Sequence, residues 1–247
     1  MHFFKRLLYK IIGRYLVIRF GEYVPDEPSP IYIPSQWVEL HKRGRVYLGL
    51  YEKNESALVK DYLDPNMDTV ELGSGVGVVS SNICKVLTSS ARFVGVEGNP
   101  NLVLCASKNM LRFESNVPRC IENGIVKGSF SKNRNQKFFI DKDDFQFSSS
   151  KGGPNAKEVD VQEVVLSDLL KRHNYGDYQL VSDIEGAELD ILKSDAHSLA
   201  SCKRIVIELH DCGVEGELIS IEALRKMIES KGFRLLKNQG QVFAFAK

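Results

Sequence analysis

The stretch DTVELGSGVGVVS, residues 68–80, decides the fold. A short apolar run at 70–72 leads into glycines at alternate positions, Gly73, Gly75 and Gly77, and a helix-compatible apolar run follows. Strand, tight glycine turn and helix is the order in which an α/β sheet opens a ligand site at the carboxyl end of its first strand. Glycine suits the turn because the chain reverses sharply and a ligand must approach the backbone, where a Cβ would clash. The next apolar run, 92–96, ends in Glu97. An acid closing the second strand about 20 residues on can accept hydrogen bonds from both ribose hydroxyls. The spacing separates two ligand classes. A dinucleotide site uses G-x-G-x-x-G with its helix N-terminus on a pyrophosphate, whereas this chain has E-x-G-x-G-x-G, with Glu71 two residues before the first glycine. A purely structural turn remains the plain alternative.

Outward from this stretch the chain alternates strand and helix. Strands are expected at about 68–73 and 92–97, with helices at 77–88 and, capped by Asn99 with Pro100 behind it, at 99–113. Such alternation implies a mostly parallel sheet with right-handed crossovers. Upstream, 45–51 reads as a short strand and 56–63 as a helix ended by Asp64-Pro65. The stretch 118–165 breaks the rhythm with strand-like segments at 121–126 and 159–166 and a serine-glycine loop at 148–154. A short helix starts at 167. The strand YQLVSDI, 178–184, delivers Asp183 at its end, and a helix beginning at Glu185 would put Glu185 and Glu188 on one face. The apolar run at 205–207 precedes Glu208 and His210. Ser220 caps a helix at 221–231, and 233–236 with 241–246 form a terminal antiparallel pair.

The first 45 residues differ in character and are expected as a unit apart from a catalytic body at 46–247. Residues 2–19 place apolar side chains at helical spacing among Lys5, Arg6, Lys10, Arg14 and Arg19, with no acid before Glu22. This is a basic amphipathic helix. It suits peripheral docking on an anionic membrane, or packing on this domain or on a second copy in a homo-oligomer. Four prolines in 21–36 make the following segment an extended connector. The chain of 247 residues is 43% hydrophobic and 26% charged, ordinary for a globular protein, and its net charge of +1 selects no nucleic acid. Five irregularly spaced cysteines fit reduced thiols in a cytoplasmic protein.

The segment VSDIEGAELDIL, 181–192, resembles the D-[VI]-E-G-A-E signature of FkbM-type methyltransferases. Residues 71–80 resemble motif I of class I S-adenosylmethionine-dependent methyltransferases, and VGVEGNP resembles the family's acidic second-strand end. Tyr51-Glu52 looks like its tyrosine-glutamate pair, KNM at 108–110 its asparagine segment, DKDDFQFSSS at 141–150 its variable hairpin, VVLSDLL its "tLDdLl" segment and IVIELH its last core strand. The resemblance covers about 47–235. Glu71 stands where the family has aspartate, and Gly98 where it has proline. The implied fold is α/β, class I methyltransferase Rossmann-like. It has a mostly parallel sheet with helices on both faces, an antiparallel C-terminal strand and, here, an N-terminal helical extension.

The implied activity is methyl transfer from S-adenosylmethionine to an oxygen, with a sugar or glycan hydroxyl as acceptor. On this reading Glu71, Gly73, Ser74 and Gly75 face the methionine end of the cofactor. Glu97 takes the ribose hydroxyls, Asn99 is a further cofactor residue, Tyr51 and Glu52 border the pocket, and the backbone at 127–129, including Ser129, faces the adenine. Asp183, Glu185, Glu208 and His210 form the reaction cluster, with Asp183 as cofactor ligand or base and His210 as the alternative base, its ordinary pKa being near neutrality. The sequence fixes no metal ligand, although Asp183, Glu208 and His210 are the donor types that Mg2+ takes. Two other readings stay open. One is a binding or scaffold protein on the same fold; the other is an NAD enzyme, which the glycine spacing opposes.

Overall fold

The computed structural model describes residues 2–140, 156–214 and 217–247. The hairpin expected at 141–150 and the loop at 148–154 lie outside them. Seven strands build the central sheet: β1 Thr69–Leu72, β2 Phe93–Glu97, β3 Arg119–Asn123, β4 Tyr178–Ser182, β5 Cys202–Glu208, β6 Arg234–Gln239 and β7 Val242–Ala246. Their order across the sheet is β3-β2-β1-β4-β5-β7-β6. The first five pair in parallel, and β7 runs antiparallel to both neighbours. The chain leaves β1 toward one edge and returns through β4 toward the other. The crevice between the carboxyl ends of β1 and β4 is therefore the topological switch point, where open α/β sheets bind ligands.

Eight α-helices accompany the sheet among the described residues: α1 His2–Phe20, α2 Leu40–Tyr47, α3 Lys53–Tyr62, α4 Val78–Val86, α5 Pro100–Met110, α6 Leu166–Arg172, α7 Glu188–Ser194 and α8 Ile221–Glu229. Strand alternation sorts the core into two layers. Leu180, Ile205, Ile207, Phe243 and Phe245 pack with Leu169, Leu189 and Leu224 of α6, α7 and α8. Val181, Val206, Val242 and Ala244 face Leu58 of α3 and Ile83 of α4. Each such buried side chain is worth roughly 1.5–3 kcal/mol relative to exposure. Both faces are covered, which is why β1, β2 and β4 are buried at every position and read as continuous apolar runs. The Asn99 side chain accepts from the Asn101 N–H and the Ser220 hydroxyl from the Ala223 N–H, so both expected caps form.

Three local expectations are corrected. Residues 45–51 are not a strand: α2 runs through Tyr47, because its fully buried Arg43 donates to the carbonyls of Gly21, at 2.6 Å, and Tyr23 and so fastens α2 to the end of α1. The proline segment does not hold α1 away from the body. Short strands at Tyr23–Val24 and Ile31–Tyr32 pair with each other, and the Asn109 side chain of α5 bonds both the N–H and the carbonyl of Tyr32. Leu16, Val24, Ile31 and Ile33 share a core cluster with Tyr51, Val76 and Leu102. Finally, α7 begins at Glu188 rather than Glu185, since Glu185 (φ +52) and Gly186 (φ +100) hold left-handed backbone.

Candidate active site at the switch point

A cavity of about 670 Å³ opens at the carboxyl ends of β1, β2 and β4. This is within the range of small-molecule sites. Its floor is the glycine turn. Gly73 adopts φ +85, and a Cβ there would lie 1.8 Å from the Asp183 carbonyl oxygen, so no other residue fits between the ends of β1 and β4. The turn is pinned from the next strand. Glu97 Oε2 accepts the Gly75 N–H at 2.8 Å and Oε1 accepts the Asn99 N–H at 2.7 Å. Burial pushes the Glu97 carboxyl up to about 7. Each of its oxygens keeps a lone pair for a further donor.

Glu52, Glu97, Asp183, Glu185 and Asp190 line the cavity. Glu52, in left-handed conformation at φ +46, caps α3, and its Oε1 lies 3.8 Å from the Cβ position of Gly75. Burial raises its pKa well above the usual carboxylate range, and Asp183 and Glu55 add to the rise. Positive φ costs a non-glycine residue on the order of 1 kcal/mol. Glu52 and Glu185 both carry that cost at the cavity wall. Behind Gly73 a narrow pocket is bordered by Glu52, Glu55, Glu71, Asp183 and Glu208.

The remaining expected cofactor residues take different places. Tyr51 and Gly75 line the cavity with Glu52, Gly73 and Glu97. Glu71 does not. It is 1% exposed, and its Oε2 accepts the hydroxyls of Ser74 at 2.7 Å and Ser80 at 2.5 Å, which makes it the brace under the turn. Ser74 and Asn99 are likewise buried behind the cavity wall, one on Glu71 and the other on the start of α5. Lys127 lines the cavity, but Ser129 is exposed beyond it; between them the Gly128 N–H donates to Asp190 of α7 at 2.8 Å.

The reaction cluster assembles around His210. Its Nδ1 stands 3.2 Å from Glu188 Oε1, and its Nε2 stands 3.5 Å from Glu185, 3.9 Å from Asp183 and 4.0 Å from Glu208. Glu185 and Glu188 thus meet on the histidine, not on a common helix face. The bond to Glu188 raises the imidazole to about 9 despite its partial burial. The shift favours the imidazolium at neutral pH and weighs against His210 as the resting base. Burial, then the charge of Glu185, pushes Asp183 up to about 7. Its Oδ1 has no hydrogen-bond partner. Glu208 rises to about 8 by burial and by a hydrogen bond with Glu55. The expected trio of Asp183, Glu208 and His210 does not bring its ligand atoms together within 4.8 Å. Two sets around Asp183 do converge within 4.8 Å: Glu55, Asp183 and Glu208, and Asp183, Glu185 and His210.

Sequence reasoning missed Glu55 and Phe138. Glu55 is an ordinary helix acid until α3 packs against β5. Phe138 belongs to a small sheet of Ile125–Lys127, Lys157–Val165 and Asn135–Ile140 beside the cavity. Its ring lies so close over Gly98 that a Cβ there would meet it at 2.6 Å. The glycine at 98 was the visible signal: it leaves room for that ring.

A family model described as the methyltransferase FkbM domain matches residues 71–235. The chain belongs to the FkbM methyltransferase family. The S-adenosylmethionine-dependent methyltransferase domain expected from the sequence is the domain it carries. Over 55 residues the FkbM chain is 36% identical to a protein-L-isoaspartate O-methyltransferase of Triticum aestivum; the match covers 22% of this chain and 24% of that protein, about a quarter of its length. Among solved structures, an O-methyltransferase from Bacillus cereus in complex with SAH aligns over 98% of this chain and 100% of its own, at 12% identity and a TM-score of 0.45. A TehB-like SAM-dependent methyltransferase from Corynebacterium glutamicum aligns over 83% and 93%, at 14% identity and a TM-score of 0.43. The FkbM chain's own donors fit the cofactor of its family. Carboxylates suit the ammonium, the sulfonium and the ribose hydroxyls, and Val76, Leu102, Ile125 and Phe138 offer apolar wall to an adenine. A pyrophosphate fits poorly, because the Gly75 N–H is already committed to Glu97 and the turn is ringed by acids.

Proposed function

We propose that this protein methylates a hydroxyl group of a sugar, in a glycan or a glycosylated natural product, in a reducing cytoplasmic compartment. Asp183 carries the reading. It has an unpartnered oxygen and a pKa near 7, sits at the end of β4 beside the glycine turn, and can accept a hydroxyl proton at neutral pH. The sugar is supported by the family resemblance, and the compartment by five free thiols, three of them buried.

S-adenosylmethionine, when bound, supplies a methyl group on a positively charged sulfur, open to direct displacement by an oxygen nucleophile. The chain's part is to bind, orient and move one proton. Glu97 would hold the ribose hydroxyls, while its bonds to the Gly75 and Asn99 N–H groups keep the turn in place. Glu52, with Asp183 beyond it, favours the cationic end of the ligand, and that charge lowers the cost of ionising the crowded carboxylates. Asp183 Oδ1 takes the acceptor's proton. Protonated His210, in reach of Glu185, Glu188 and Glu208, offsets the negative charge that would otherwise keep Asp183 protonated. Alignment of the acceptor oxygen with the transferred methyl is the larger contribution, since well-oriented reactants gain several kcal/mol. Mg2+ has no step here: Glu55, Asp183 and Glu208 could attract it, and adding Mg2+ or EDTA to the transfer assay shows whether it helps or competes.

The test is transfer of labelled methyl to a panel of free and lipid-linked glycans by the wild type and by Asp183→Asn. Transfer to a hydroxyl that Asp183→Asn loses supports the reading. Binding of S-adenosylhomocysteine without transfer to any hydroxyl acceptor would move the chain to the scaffold reading.

A further inference from the structure

Helix α1 has two apolar faces, and among the described residues only one is covered. Gly13 and Leu16 are buried, with Tyr9, Ile12 and Val17 partly covered. This inner face lies on α2 with backbone against backbone. A Cβ on Gly13 would stand 1.8 Å from the Leu40 carbonyl oxygen, and one on Gly44 would stand 2.2 Å from that of Tyr9. The opposite face holds Leu7, Leu8, Ile11, Tyr15 and Ile18, whose exposure runs from 46% to 78%. At 100° per residue these five fall within an arc of about 100°. Five apolar side chains in one exposed stripe on a helix are an interaction surface rather than scattered surface residues.

The borders of the stripe identify what covers it. Lys5 and Arg19 follow one edge and Lys10 and Arg14 the other, with Arg6 further round, and all five are exposed. The helix contains no acid. Arg6 stands 3.7 Å from Glu39, at the start of α2. A second copy seated on the same face would set two all-basic borders against each other. An anionic lipid surface matches both parts at once: hydrocarbon takes the stripe and headgroups take the bases. No helix among the described residues is long and apolar enough to cross a membrane. We propose that α1 lies in the plane of an anionic bilayer surface, with Leu7, Leu8, Ile11, Tyr15 and Ile18 in the headgroup and acyl boundary. Helix α2, the bed of α1, also contributes Lys42 to the cavity wall, so a single helix separates the docking face from the cavity. A membrane-held acceptor then reaches the site by movement in two dimensions.

Flotation of the full chain with phosphatidylcholine vesicles, with and without phosphatidylserine, tests this. The wild type should float with the anionic vesicles, stay behind with the neutral ones, and be released by salt. Lys10→Glu/Arg14→Glu should lower binding by at least roughly 25-fold, at about fivefold per basic residue. Ile11→Asp should abolish binding while leaving the melting temperature and the thermal shift with S-adenosylhomocysteine unchanged. Equal binding to both vesicle types, binding to neither, or no effect of the two variants overturns the proposal. A large fall in melting temperature in Ile11→Asp overturns it too, since the face would then pack on protein. So does a concentration-dependent dimer in sedimentation that Ile11→Asp dissociates, which would assign the face to a second copy.

Discussion

Glu188 Oε1 lies 3.2 Å from His210 Nδ1, and the two differ sharply in setting: the glutamate side chain is 0% exposed and the ring 22%. A buried carboxyl group beside a partly exposed imidazole fixes the ring by one nitrogen and raises its pKa. Glu188→Gln should return the His210 pKa from about 9 toward its ordinary value. The sign follows from the direction of the shift. A histidine raised in the fold adds stability that is complete below its unfolded pKa, near 6.5, and is lost as pH rises through about 9. The stability gap between wild type and Glu188→Gln should thus be widest in mildly acidic solution and close in alkali. Urea midpoints across pH, with an NMR titration of His210, measure it.

With Asp183 near 7 as base and His210 near 9 as the required cation, kcat/KM for methyl transfer should rise through about 7 and fall through about 9. The two groups interact, so the limbs belong to the cluster as a whole. Asp183→Asn should lower the rate by roughly 10²–10⁴-fold. A pH profile of kcat/KM with no acid limb would remove Asp183 as base.

Burial raises Glu71, Glu97, Asp183 and Glu208. The folded chain therefore holds more protons than the unfolded chain between the ordinary carboxylate range and about 7 to 8. Its stability should fall as pH rises through that window. A cationic ligand should flatten the slope. Melting temperatures from pH 5 to pH 8, with and without S-adenosylmethionine, give both curves.

Glu97 has two tasks, and Glu97→Gln separates them. The amide offers one acceptor where the carboxylate offers two, so either Gly75 or Asn99 loses its bond. The ligand-free melting temperature should drop by a few degrees, in keeping with about 1–3 kcal/mol for a buried unpaired donor. Wild type with S-adenosylhomocysteine at about 100 times Kd should gain roughly 2.7 kcal/mol. The variant should gain far less, and an undiminished shift would take Glu97 away from the ribose.

Gly98→Ala should cost about 1–3 kcal/mol by forcing its Cβ into the Phe138 ring. It should also weaken S-adenosylhomocysteine binding, because that ring walls the cavity. Gly98→Ala/Phe138→Ala should be more stable than the sum of the single losses implies. A double-mutant cycle in urea unfolding reads the coupling directly, and strict additivity would show that the ring simply moves aside.

The sheet was legible where one physical cause dominates. Strands buried on both faces must be apolar throughout, and a turn that passes under a ligand must be glycine, so β1, β2, β4 and the Gly73 turn could be read from spacing alone. Glu97 and Asp183 followed as the residues that end those strands. Contacts made only on folding were not legible. Val46, Leu48 and Leu50 alternate like a strand, yet Arg43 reaching the end of α1 keeps the segment helical through Tyr47. The apolar run after Gly186 suggested a helix from Glu185, but two left-handed residues postpone it. Glu55 carries no local mark, since only the packing of α3 against β5 brings it to Asp183 and Glu208.

The contact between Gly73 and the Asp183 carbonyl leaves no room for a Cβ, which makes the spacing between the glycine turn and the end of β4 a property of main chain rather than of rotamers. Substitutions elsewhere cannot lengthen it without parting β1 from β4. The residues that enclose the site, Phe138 and Lys137 on one stretch and Cys212 and Gly213 on another, carry no such main-chain limit. New acceptors can be admitted by recasting those walls while the reach of the chemistry stays constant, like interchangeable jaws on a single fixed gauge.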